Sequence, residues 1–287
     1  MQTLSPRASN IIVDVSLVNC RGALHAIRDE YSLARAMFER ALEITQTYTD
    51  ELDPLGNYAI LSLGQLADML GNDAAARRWL ERGLRLSQTT NNRYQEMIGE
   101  RYFTLLALRT NTPAEAATHA KNGLRLAQEQ SAYNEEAICT TLLGRALEES
   151  GQLDEALVQL EHARSSFAAL PRPYFAIEPL AGLARVALAR GDLAGALVYI
   201  EAVLIFLAAG PCTGLNEPFL VFLSCVRVLQ ALGDERADEV LHTFCRGPFV
   251  SIIFFCYSQL IRRLVPDRSS KSNSLPDILA VQFITKV

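Results

Sequence analysis

The sequence predicts an all-α fold, a right-handed superhelical solenoid of about six antiparallel helix pairs, and three observations lead there. First, a turn residue followed by an alanine-anchored helix recurs at Asp29, Gly71, Asn111, Gly151, Gly191 and Gly233, in steps of 42, 40, 40, 40 and 42 residues. Self-similarity at a period of about 20 to 50 residues marks an array in which no repeat buries its apolar face alone and stacked neighbours create the core. Second, hydrophobic residues make up 49% and charged residues 21%, with aromatics only 8%, a mix that suits Ala/Leu-rich helix packing better than a β-sandwich. Third, apolar residues within each unit recur at three- and four-residue steps, the spacing of one helix face.

Because such an array grows in one dimension, the 287 residues are read as one elongated repeat domain over residues 13–246 and an atypical tail over residues 247–287. The fourth unit shows the rule most plainly. Between Glu135 and Ser150 a stripe forms from Ile138, Leu142, Leu143, Ala146 and Leu147. Gly151-Gln152 then breaks that helix, as a small residue does after a helix C-terminus. A second amphipathic helix runs from Leu153 through Ala163 with Asp154 and Glu155 in its first turn, where the helix dipole favours acids.

This pattern resembles the tetratricopeptide repeat, which asks for Leu-Gly in helix A, glycine at the turn, and small, large and small residues at fixed offsets in helix B. The small residue lets the helix axes approach to roughly 8–10 Å, and the large one fills the adjoining groove. The first unit matches through Gly22, Tyr31, Ala34, Phe38 and Ala41, and the second through Leu63-Gly64, Gly71, Ala76, Leu80 and Gly83. In the third, Thr104 takes the glycine position while Ala116, Ala120 and Gly123 remain. The fourth has Leu143-Gly144, Gly151, Ala156, Leu160 and Ala163, and the fifth Leu183-Ala184, Gly191, Ala196 and Ile200. In the sixth, Asp238 stands where the crossing alanine is expected. The resemblance spans roughly Val13 to Phe244.

The forty-residue period exceeds the usual 34 of this repeat class, so either the helices or the connections must be longer. Long repeats of this kind are similar to the effector-sensing regions of large bacterial signal-transduction ATPases and transcription activators, and the segment Cys225 to Ala237 reads like the last repeat of such a regulator. The resemblance implies a non-enzymatic module that binds a protein, a peptide or a small effector in the cytoplasm. The alternative is a free-standing assembly adaptor without a signalling role. The chain carries no G-x-x-x-x-G-K-[ST] phosphate loop, and no helix-turn-helix segment follows the array.

Charge and cysteine usage narrow the classes further. A net charge of -5 argues against direct nucleic-acid binding, which needs a basic stripe to neutralise phosphates. The six cysteines are scattered without C-x-x-C spacing and read as free thiols in a reducing compartment. Asp14 interrupts the apolar start from Ile11 to Val18, which makes a poor export signal. The four histidines do not converge, and His242-x-x-Cys245 lacks a second ligand pair, so neither catalysis nor a metal is expected, and no cofactor. Neighbouring acids such as Glu148-Glu149 point about 100° apart on a helix and do not form a general acid-base pair.

One column carries the candidate site. The residue after the Leu-Gly position reads Ala23, Gln65, Leu105, Arg145, Arg185 and Arg227 down the six units. In the resembled class this position faces the concave groove, so Arg145, Arg185 and Arg227 would line it, with Arg101, Arg109 and Gln65 extending the strip. Guanidinium groups there would grip an acidic partner bidentately. The competing reading pairs these arginines with acids such as Glu148 or Glu149. Tyr58, Trp79, Tyr102 and Tyr199 are read as core aromatics before a ligand clamp. In the tail, Gly247 to Ile261 is a charge-free run too short for a comfortable membrane span of about 20 residues. It is read as an apolar helix docked on the array, as a partner or membrane contact, or as an altered terminus.

Overall fold

The repeat turns fold as they do because five of the six recurring positions need a left-handed backbone. Gly71, Asn111, Gly151, Gly191 and Gly233 have φ of 71°, 59°, 76°, 79° and 68°. At each, the amide one residue on donates five residues back along the chain: Asn72 to the Ala67 carbonyl, Thr112 to Ala107, Gln152 to Leu147, Asp192 to Ala187 and Asp234 to Leu229, all at 2.8–2.9 Å. This is the Schellman closure, which satisfies carbonyls that a helix end would otherwise leave open. Asn91 and Ser131, at φ of 51° and 53°, repeat the device between units at the same forty-residue interval.

The computed structural model describes residues 6–28, 30–48, 54–170, 173–209 and 215–246. Among these there are twelve α-helices and no strand: α1 (Pro6–Ile27), α2 (Tyr31–Tyr48), α3 (Pro54–Met69), α4 (Asp73–Thr89), α5 (Arg93–Arg109), α6 (Pro113–Glu129), α7 (Tyr133–Glu149), α8 (Leu153–Ala168), α9 (Ile177–Ala189), α10 (Leu193–Ala209), α11 (Pro218–Leu232) and α12 (Arg236–Arg246). The long period is explained by helix length. In the third unit two helices of 17 residues and two three-residue turns fill it. Caps fit the boundaries: the Asn72 and Asn92 side chains accept from the amides of Ala75 and Gln95, both at 3.1 Å. Pro113 and Pro218 occupy first-turn positions where no amide is needed.

Two compact units divide the chain, Met1–Leu142 and Leu143–Val287. In the first, α1–α2, α3–α4 and α5–α6 form the pairs, and each odd-numbered helix also packs on the next odd-numbered one. Its core joins Leu61, Leu80, Met97, Phe103, Leu106 and Leu126. In the second, α9 pairs with α10 and α11 with α12, around Ala184, Ala196, Ile200, Val221, Cys225 and Leu229. No described helix is long and apolar enough to cross a membrane.

Close approach within a pair depends on the Leu-Gly glycine. A Cβ on Gly64 would lie 2.6 Å from Leu80 Cδ2, and one on Gly144 would lie 2.7 Å from Leu160 Cγ. The third repeat reverses the sizes: Thr104 and Ala120, at the same two positions, are both fully buried. Large and small exchange across the crossing, so volume is conserved while the motif is lost. The sixth repeat corrects the sequence expectation. Here α12 opens with a tighter turn, the Ala237 amide donating three residues back to the Asp234 carbonyl, so Ala237, four rather than five residues after the turn glycine, enters the core and Asp238 is exposed. The crossing alanine is present one place earlier.

The cysteines Cys139 and Cys225 are buried and Cys20 is exposed. Burial pushes the Cys139 thiol up to about 12 against the pull of Arg101. The charge-free run of the tail lies outside the described residues.

A backbone test follows from the turns. Gly151 has open space around a would-be Cβ, so Gly151→Ala costs backbone strain alone, about 1 kcal/mol. Ser131→Gly, relieving the opposite situation, should raise stability by a few tenths of that. Urea unfolding reads both signs.

Candidate functional site

Four arginines of the odd-numbered helices are turned away from water, and each has an acid partner from another helix or turn. In the first unit Arg109 on α5 donates from Nε to Asp68 on α3 and from Nη2 to Asp73 at the start of α4, both at 2.6 Å. Burial works against its charge, and the two aspartates more than compensate, so its pKa is raised. Arg101, one turn pair earlier, donates to both oxygens of Glu135 on α7 at 3.2 and 3.0 Å and lies 5.0 Å from the Tyr102 ring. Its Nε is buried without an acceptor. Gln65 is half-buried on α3.

The second unit holds the three-arginine column. Arg145 on α7 is only 3% exposed and is clamped between Glu149, at 2.9 Å, and Glu217 at the start of α11. Glu217 is itself tied by its backbone amide to Glu178 on α9 at 2.7 Å. Arg185 on α9 makes three hydrogen bonds to the Glu148 carboxylate, at 2.8, 3.1 and 2.8 Å, and a fourth to Ser224 Oγ at 3.0 Å. Arg145 and Arg185 are therefore occupied internally, the first by Glu149 and Glu217 and the second by Glu148. Arg227 on α11 differs. It is half-buried, and among the described residues no carboxylate lies within ion-pair distance of it. Burial first, and then the nearby Arg185, hold its pKa below the ordinary arginine value, with Glu148 opposing them.

Sequence reasoning missed one polar cluster on the same helices. Glu100 on α5 is buried, and its carboxylate sits 2.6 Å from His119 Nδ1 on α6, while the imidazole stacks on Phe103 with centroids 4.8 Å apart. The available signal was the i, i+4, i+8 stripe Glu96, Glu100 and Thr104, polar residues on a face that should be apolar. Aromatics behave as packing groups. Tyr102 is buried, Tyr58 meets Phe38 edge-on at 6.4 Å, Tyr199 donates to Glu161 at 3.0 Å, and Trp79 lies under Arg82 at 5.5 Å. Among the described residues no group of three or more His, Cys, Asp or Glu side chains could hold a metal ion, and the side chains of His242 and Cys245 lie outside that set.

Solved structures of helical-repeat proteins share this fold. BtubC (BKLC) from P. vanneervenii superposes with a TM-score of 0.59 at 18% identity, covering 69% of this chain and 82% of that one. PilW, a type IV pilus biogenesis factor, gives 0.56 at 20% identity, with 83% and 96% covered. A Rap protein complexed with competence and sporulation factor gives 0.61 at 14% identity, with 94% and 76% covered. No protein-family model and no curated protein matches the chain. The fold is tetratricopeptide-like.

Proposed function

We propose that the chain is a non-enzymatic binding module that holds a peptide or an extended protein segment on the odd-numbered helices of one of its two units, as the sensing part of a bacterial signalling or transcription regulator. What carries this reading is the concentration of buried charge on those helices in each unit. Arg101, Arg109, Arg145 and Arg185 are all mostly buried, each fixed by an acid from another helix or turn. Folding alone does not call for such pairs, because an apolar residue of similar volume is often as stable or more so. A polar, pre-oriented floor is what a binding face needs. The Rap protein complexed with competence and sporulation factor, which shares the fold, supports a small-protein or peptide ligand for this chain as well.

The test is a peptide array probed with the purified full chain, followed by hydrogen exchange on a bound pair. Binding should protect amides of α9 and α11 or of α3 and α5. An array without a binder, or protection confined to α4, α8 and α10, would overturn the proposal.

A further inference from the structure

We propose that Arg227, backed by Arg185, seats a single carboxylate of an acidic peptide; this rests on the peptide-binding reading above and names the chemistry of one of its subsites. The argument is local charge balance. Arg185 and Glu148 neutralise each other through three hydrogen bonds. Ser224, which lies beside them on α11, already donates to the Leu220 carbonyl at 2.6 Å and accepts from Arg185. Among the described residues neither makes an ion pair or a hydrogen bond to Arg227. The guanidinium has five N–H donors in a planar fork, part of its hydration has been removed by burial, and a second cation stands nearby. One positive charge thus remains beside the Arg185–Glu148 pair, partly open to solvent.

The size of that excess selects the ligand. A carboxylate brings one negative charge and two oxygens that match the guanidinium fork. A phosphate monoester brings roughly 1.5 to 2 negative charges, which would overshoot the excess and crowd Glu148. The site therefore favours an aspartate, a glutamate or a chain terminus over a phosphate. In the sequence this arginine is indistinguishable from Arg145 and Arg185; only their partners separate it.

The experiment measures binding of fluorescein-labelled hexaglutamate to the full chain by fluorescence anisotropy, with hexaglutamine and inorganic phosphate as comparison probes. Hexaglutamate should bind, and Arg227→Gln should weaken it by about ten- to a hundredfold, the worth of a lost charge-assisted hydrogen-bond pair. Arg227→Lys keeps the charge without the fork and should fall between. Glu148→Gln, which adds one to the local charge, should tighten binding. Thermal melts confirm folding, since among the described residues Arg227 has no ion pair to lose. Equal binding of hexaglutamate by wild type and Arg227→Gln, no binding by wild type, binding of hexaglutamine as tight as hexaglutamate, or competition by phosphate at the peptide's own concentration would each overturn the proposal. Array peptides that bind without regard to Arg227 would remove this subsite and leave the peptide-binding reading standing; an array without binders would remove that reading itself.

Discussion

Arg145→Leu should lower the unfolding free energy by about 3–5 kcal/mol, among the largest single-residue effects in the second unit. The loss is not that of a surface pair. Arg145 is 3% exposed, and Glu217, which it holds across 72 residues of chain, is 8% exposed. Removing the cation leaves a buried carboxylate whose hydration was given up on folding, and that uncompensated charge sets the cost. Leucine keeps much of the packing of the arginine stem, so the deficit reports the charge. Arg145→Leu combined with Glu217→Leu should therefore recover much of the stability. Glu217 makes no side-chain capping bond to α11, so its removal does not uncap the helix. Urea unfolding of the two single variants and the double closes the cycle. A double variant as unstable as the sum of the singles would mean that the pair acts independently of each other.

The same geometry changes how the arginine column can be tested. Converting Arg145, Arg185 and Arg227 together to alanine would remove internal clamps on Glu217 and Glu148 as well as any ligand contact, so lost binding and lost folding would be confounded. Arg227 alone separates them. This distinction was beyond the sequence, because the partners of Arg145 and Arg185 come from residues both four positions away and 37 to 72 positions away. The four-residue partner Glu149 was visible as helix spacing. Glu217 was not, because nothing local marks a residue before Pro218 as the counter-ion of a helix two repeats back.

The fold was legible for a related reason. Each turn residue carries its own requirement: Gly71, Gly151, Gly191 and Gly233 sit at positive φ, where other side chains are strained, so the period is written in single residues. Helix pairing inside a repeat is nearly as local, since Gly144 and Leu160 are 16 residues apart. What local matching loses is compensation. Thr104 with Ala120 reads as two departures from the motif, yet together they conserve the volume of a Gly/Leu crossing. Ala237 reads as misplaced until the tighter first turn of α12, closed by its amide on the Asp234 carbonyl, is seen to bring it into register.

The Gly144–Leu160 crossing gives the second large effect. Leu160 is fully buried, and Leu160→Ala should cost about 2–5 kcal/mol through lost transfer energy and the cavity left behind. Gly144→Ala should cost about 1–3 kcal/mol for the opposite reason, because its new Cβ would stand 2.7 Å from Leu160 Cγ and 3.4 Å from Gln159 Cβ. Leu160 cannot step aside cheaply. The same side chain also lies 2.9 Å from the place a Cβ on Gly182 of α9 would take, so α7 and α9 bracket it from two sides. The two substitutions should then be far from additive. In Gly144→Ala/Leu160→Ala the added methyl enters the space the leucine vacated, a partial version of the exchange that Thr104 and Ala120 make in the third repeat. The double variant should be more stable than Leu160→Ala alone, although Gly144→Ala by itself is destabilising. Thermal unfolding of the three variants measures this reversal of sign, and a double variant less stable than Leu160→Ala would show that the crossing distance, rather than the summed volume, governs the pair.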